Sequence, residues 1–183
     1  MYAPAAGAAR VAESAKRSEK SFVDFILDGQ PEPPMYFARM KRDNKMGPRV
    51  LGGVPQPKEL SAAEFAKLDG GSCAIIDTRA WTAFKAGHPK GALSIPLTNS
   101  FNTDAGSMVA EDERIYLVVE AARLDEAVRD LIRVGLDDIA GWIDAAKVGQ
   151  ISAAGGTLEK TEEVDVAAAQ RFISEVKPFL LDA

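Results

Sequence analysis

The chain has 183 residues, 46% of them hydrophobic, which is enough for one domain with a core and some further segments but not for two full-sized domains. A net charge of −5 and a pI near 5.0 provide no basic field to attract a phosphate backbone, which argues against general nucleic-acid binding. One cysteine, Cys73, and one histidine, His88, exclude an internal disulfide, a cysteine-only metal cluster and most His/Cys metal sites, so neither metal nor cofactor is expected.

No apolar run approaches the roughly 20 residues that span a bilayer. Residues 1–9 also lack a basic stretch followed by a leucine-rich one, and the expectation is a soluble, cytoplasmic protein without a membrane partner. Residues 1–20 are small and polar with little periodicity, so a helix there would have a weak apolar face. From Ser21, SFVDFILDG brings Phe22, Val23, Phe25 and Ile26 together on a short helix that Gly29, Pro31, Pro33 and Pro34 terminate.

The next helix reads MYFARMKRDNKMGP, with Met35, Tyr36, Met40 and Phe37 as an apolar stripe, Arg39, Lys41, Arg42 and Lys45 facing out, and Gly47-Pro48 as the stop. That stripe, extended by Met46, has two readings: packing within the chain, which is the simpler, or docking of a partner. A Gly/Pro linker, VLGGVPQPKEL, leads to Ser61 and Glu64, spaced as a capping box that starts a helix over 62–68.

Residues 73–77 (CAIID) form a short apolar strand of the kind buried on both faces of a parallel sheet. A helix over 81–86, a turn at 87–91, a strand over 93–96 and the β-branched strand IYLVV at 115–119 follow. Leu124, Ala127, Val128, Leu131 and Ile132 repeat at helical spacing within 121–134, Gly135 caps that helix, and another strand begins at Asp138. Strands alternating with helices predict an α/β fold with a mostly parallel sheet flanked by helices.

Near the end, VDVAAAQRFISEVKPFLLDA is similar to LSAAEFAKLDGGSCAIIDTR. Asp77 and Asp182 correspond if the second loop has one extra residue, which suggests the opening of a repeated domain. A lone strand at 179–181 must dock elsewhere or fray, and strand addition to a second copy would make a homodimer.

Three segments in order, IIDTRAWTAFKAGHPKGALSIPL, RIYLVVE and VGLDDIAGW, resemble the rhodanese superfamily. That pattern is a strand with Asp-x-Arg, a Gly-His-x-x-Gly-Ala turn, a strand leading into the active-site loop, and a final Gly-containing turn. The resemblance covers 58–148. Residues 21–57, especially GQPEPPMYFARMKRDNKMGP, resemble the segment that joins a metallo-β-lactamase-fold domain to tandem rhodanese domains in persulfide-dioxygenase-like fusion proteins. The organisation this implies is an extension over 1–57, a rhodanese-like domain over 58–148, and a linker with the start of a truncated second repeat over 149–183.

In an active member of that family the strand before the loop delivers a cysteine whose thiolate takes a sulfane sulfur, and loop amides stabilise the resulting anion. Here that position is Glu120, and the degenerate loop Glu120, Ala121, Ala122, Arg123, Leu124, Asp125 has neither a thiol nor a glycine. A carboxylate forms no persulfide, so no catalytic residue is expected. Asp125 stands where the family carries a basic residue, and Arg123 only partly offsets Glu120, Asp125 and Glu126.

One expectation follows from this inversion of charge: the Glu120 carboxylate folds back onto the amides of 121–123 and takes the place of the substrate anion. Cys73, at the start of a buried strand, is expected to be inert. The resemblance implies scaffold roles for Asp77, Arg79 and His88, the first two as an ion pair tying the strand to nearby loops and His88 as an organiser of its turn. Glu111, Asp112 and Glu113 read as a solvated acidic face rather than a metal site.

The sequence therefore favours a non-catalytic binding or regulatory module associated with persulfide or thiosulfate metabolism, with a protein partner, a metallo-β-lactamase-fold domain or a second copy as its contact. The alternative is part of a persulfide dioxygenase, sulfurtransferase or metallo-hydrolase whose catalytic domain lies outside this chain. A third reading is a general α/β interaction domain unrelated to sulfur.

Overall fold

The structure, a computed structural model, describes residues 18–28 and 33–176. It divides into two units, Met1–Pro34 and Met35–Ala183. In the first, α1 (Glu19–Leu27) begins at Ser18, whose hydroxyl accepts from the Ser21 amide at 3.4 Å, two residues earlier than the apolar pattern implies.

The second unit opens with α2 (Tyr36–Met46), β1 (Lys58–Glu59), α3 (Ala62–Phe65), β2 (Ala74–Asp77), α4 (Trp81–Ala86), β3 (His88–Pro89) and β4 (Leu93–Ser94). It continues with α5 (Phe101–Met108), β5 (Ile115–Val119), α6 (Leu124–Arg133), β6 (Ile139–Asp144), α7 (Val148–Ala153), β7 (Leu158–Glu159) and α8 (Val166–Val176). Among the described residues, β1, β6, β5, β2 and β4 line up in that order as a five-stranded parallel sheet. β3 and β7 pair antiparallel, with His88 opposite Glu159.

The period of two along each strand divides the core. Ala74, Ile76, Leu117, Val119 and Trp142 face α5 and α6, where they meet Phe101, Ala105, Val128 and Leu131. Cys73, Ile75, Val118 and Ile143 face the other way and meet Phe65, Val148 and Ile151 of α3 and α7. Strands buried on both faces carry almost no polar residue, which is why IYLVV and AIID read as uninterrupted apolar runs. α5 and α7 are absent from the sequence reading: FNTDAGSM and VGQISA bury Phe101 with Ala105 and Val148 with Ile151, too few apolar positions to make a periodic stripe.

The capping box at Ser61 is present: its hydroxyl accepts from the Glu64 amide at 3.2 Å, and the Glu64 carboxylate accepts from the Ser61 amide at 2.9 Å. α3 is shorter than the 62–68 expected. Lys58 Nζ at 2.7 Å, and then the Ser61 donors, hold the exposed Glu64 carboxyl down at about 2, far below the ~4.3 of a free glutamate. A depressed folded-state pKa stabilises the fold above the unfolded value and loses that contribution as pH falls through about 2. Carbon-detected NMR of Glu64 should show it ionised throughout pH 3–4, whereas a midpoint near 4.3 would mean that the Lys58 contact does not persist.

α2 corrects the sequence reading. Of the expected apolar stripe, Tyr36 packs against the core while Met35, Phe37, Met40 and Met46 are open to solvent; Arg39, expected to face out, is only 5% exposed. Two glycines account for this. A Cβ on Gly106 would come within 2.8 Å of the Tyr36 ring, and one on Gly135, at φ 75°, within 3.0 Å of Arg39 Cδ and Nε. The bare backbones of α5 and of the turn after α6 thus admit a large aromatic and a large cation. Arg42, also expected to face away, reaches the Glu111 carboxylate with both terminal nitrogens, so Glu111 is paired rather than merely solvated. The strand expected at 179–181 lies outside the described residues.

Candidate functional site

The C-terminal ends of β2 and β5 lie side by side, with Asp77 opposite Val118, and bring Asp-x-Arg and the Glu120 loop to one edge of the sheet. This is where ligands collect in open parallel sheets. Asp77 is fully buried, and its carboxylate accepts from Arg79 Nε at 2.9 and 3.1 Å, from Arg79 Nη2 at 2.6 Å and from the Arg79 amide at 3.1 Å. Arg79 Nη2 also donates to the Gly87 carbonyl at 2.8 Å. The pair therefore anchors the end of β2 to the turn carrying His88.

His88 is buried and stacks on Phe84, with ring centroids 3.8 Å apart and planes inclined by 6°. Its Nδ1 lies 2.9 Å from the Phe84 carbonyl; a carbonyl only accepts, so Nδ1 carries the proton. Across α4, Glu163 accepts from Trp81 Nε1 and from Lys85 Nζ, each at 2.6 Å, so the segment after β7 is fastened over this helix.

Glu120 follows β5 in an extended conformation, φ −65° and ψ 131°, and precedes a 3-10 turn over Ala121–Arg123. The turn uses its own carbonyls: Arg123 N–H donates to Glu120 O at 2.8 Å, and Leu124 N–H donates to Ala121 O. The exposed Glu120 side chain makes no hydrogen bond to the start of the turn, so the expected carboxylate-in-nest arrangement is absent. Two of the loop's amides are already satisfied within the turn, and a solvated carboxylate gains little by leaving water for the others.

Arg123 closes the loop instead. Its Nη2 donates to the Leu97 carbonyl at 3.0 Å, and Nε and Nη2 donate to the Glu126 carboxylate at 2.9 and 2.7 Å. These bonds hold the Glu126 carboxyl below the ordinary carboxylate range and raise the pKa of Arg123. The remaining cavity, lined by Thr78, Arg79, Leu97, Val119, Glu120 and Arg123, measures about 20 Å³. That is room for about one water molecule and too little for a thiosulfate. Both arginines at this edge are neutralised by a carboxylate, while Glu120 and the exposed Asp125 add negative charge that repels an anionic sulfur donor.

Cys73 lies next to the opposite end of β2, buried, with Sγ 3.3 Å from the Asp69 carbonyl. Burial first, then the charges of Asp69 and Glu113, push its thiol pKa up, which lowers the thiolate fraction needed for nucleophilic attack. Among the described residues no group of three or more His, Cys, Asp or Glu side chains converges to hold a metal, and no helix is long and apolar enough to cross a membrane. The sequence names Arg79 as scaffold and Glu120 and Arg123 as the degenerate loop; the structure brings these three together at one cavity with Thr78 and Leu97, which the sequence does not single out. These are joined to the site by strand adjacency, which leaves no mark in local sequence.

No family model matches the chain, and no curated protein matches it at a significant level. Among solved structures, a metallo-β-lactamase from Staphylococcus aureus is 27% identical, with a TM-score of 0.58 over 71% of this chain and 36% of that one. A rhodanese-like domain from Anabaena sp. is 17% identical, with a TM-score of 0.46 over 61% of this chain and 92% of that one. A protein from Bacillus halodurans is 16% identical, with a TM-score of 0.44 over 73% and 96%. The chain thus spans little more than a third of the Staphylococcus protein. With Asp-x-Arg at the end of β2, the Gly-His turn after α4 and the Glu120 loop after β5 on one parallel sheet, this chain has an α/β fold in which a parallel sheet is flanked by helices.

Proposed function

We propose that the chain is a non-catalytic rhodanese-like module that binds or regulates within persulfide or thiosulfate metabolism. One observation carries this reading: a carboxylate stands where the sulfur-accepting thiol belongs, and Arg123 lies across the loop, leaving about 20 Å³. Asp77, Arg79 and His88 act as scaffold in this reading. The hydrogen bonds of Asp77 and Arg79 tie the end of β2 to the turn at Gly87, and that of His88 ties the same turn to α4 through the Phe84 carbonyl.

The test is transfer of sulfane sulfur from thiosulfate to cyanide by the parent chain, Glu120→Cys, Glu120→Cys with Arg123→Gly, and Cys73→Ser. The parent and the single Glu120→Cys variant are expected to be inactive, because a thiol alone does not make room for the donor; the double variant is expected to gain turnover. Parent activity that disappears in Cys73→Ser would make the chain an enzyme and sink the proposal.

A second reading is favoured by the similarity to part of a longer protein titled a metallo-β-lactamase. In it the chain is a section of a persulfide dioxygenase, sulfurtransferase or metallo-hydrolase, and its contact is a metallo-β-lactamase-fold domain. The exposed side chains of Met35, Phe37, Met40 and Met46 are available for such a contact or for a second copy. Residues 149–183 would open a second repeat: Asp165 Oδ1 caps α8 by accepting from Ala168 N–H at 2.7 Å, as Ser61 caps α3. Light scattering with and without residues 161–183 separates the dimer from a monomer that waits for another domain.

A further inference from the structure

We infer that the cavity between α2 and the turn after α6 binds an anionic ligand, whose carboxylate or other oxyanion group rests between Arg39 and Arg49. The cavity holds about 500 Å³, well away from the Glu120 loop and within the ~300–1,000 Å³ typical of small-molecule sites. The inference stands apart from the sulfur reading.

Arg39 is the reason to expect an anion. It is 95% buried, being 5% exposed, yet its guanidinium has one hydrogen bond, from Nη1 to the Gly135 carbonyl at 3.2 Å. Its Nε is buried without any partner among the described residues. A buried guanidinium N–H without an acceptor is costly, and the carboxylates whose charge Arg39 feels, Asp137 and Glu111, make no hydrogen bond to it among the described residues, so the group calls for a further acceptor.

Neighbouring carboxylates are largely committed elsewhere. Arg42 takes Glu111 and Asp43, Arg133 takes Asp130 at 2.6 Å, and Arg114 takes Asp138 at 3.3 Å. Arg39 and Arg49 then share one remaining carboxylate among the described residues at the cavity, Asp137, so this corner has one more guanidinium than carboxylate, while Arg42, set against both Glu111 and Asp43, balances the lining as a whole. Gly135 builds the seat: at φ 75° it has no side chain to collide with Arg39 Cδ and Nε. Met40, Leu51, Ile132 and Val134 line the rest, which gives an organic anion an apolar surface on which to lay its carbon skeleton.

Nitrogen-15-labelled full chain would be titrated with sodium sulfate, sodium phosphate and sodium citrate, against sodium chloride at matched ionic strength. Saturable shifts of the Arg39 and Arg49 side-chain resonances and of the Gly135 amide are expected. Tighter binding of citrate would identify an organic carboxylate as the ligand type, and tighter binding of sulfate or phosphate an inorganic oxyanion. Arg39→Met, which keeps the packing and removes the charge, should weaken binding by roughly 10-fold or more, the equivalent of one charge-assisted hydrogen bond. Arg49→Gln, in an exposed loop, tests the same site without risk to the core and should weaken it several-fold. Shifts that chloride reproduces, or that persist undiminished in both variants, would overturn the inference.

Discussion

Replacing Arg79 with alanine is expected to lower folding stability by about 3–5 kcal/mol, the cost of stripping one partner from a buried ion pair. The Asp77 carboxylate is fully buried, and without the Arg79 side chain it keeps, among the described residues, the amide of residue 79 as its one donor. The turn at Gly87 also loses its tie to β2, so His88 and β3 should loosen with it. Replacing both partners, as in Asp77→Leu with Arg79→Met, should recover much of the loss, because no unpaired charge is then left inside. Urea denaturation of the three chains decides the matter: a single-variant loss below about 1 kcal/mol would place the pair among ordinary surface ion pairs and remove it from the scaffold.

Phe101→Ala is expected to cost a similar amount, about 3–5 kcal/mol. Phe101 is fully buried at the start of α5, within the cluster formed by Ile95, Leu97, Leu117, Val128 and Leu131. α5 spans eight residues and carries threonine, asparagine and glycine, all poor helix formers, so packing rather than propensity holds it in place. Deleting its main anchor leaves a cavity that β5 and α6 cannot collapse to fill without moving. Thermal unfolding and hydrogen exchange across 101–109 would measure the effect. A loss under 1 kcal/mol with unchanged protection in α5 would show that the helix is held by something else.

Much of this architecture was legible in the residues themselves. Ile115–Val119, Trp81–Ala86, the Ser61–Glu64 cap and the amphipathic Leu124–Arg133 were each marked by composition or spacing, because their stability depends on local period and on burial of one continuous apolar run. The absence of a thiol at Glu120 was equally plain, since it needs only the identity of one residue after a recognisable strand. Asp77 and Arg79 sit two positions apart, and their pairing is a local geometric consequence of the end of β2.

The tertiary structure decided the rest. Arg39 reads from the sequence as an outward charge beside an inward methionine stripe, yet Gly135, 96 residues away, offers a carbonyl and a bare backbone that draw the arginine in and leave Met40 outside. The Glu120 carboxylate stays in solvent because the turn's own carbonyls take two of the loop amides, while Leu97, from the neighbouring end of the sheet, supplies a carbonyl through which Arg123 closes the site. Local pattern sets which segments become helices and strands, because those depend on near neighbours. Which polar group is buried, and which cavity stays open, depends on partners that only the packed fold brings within reach.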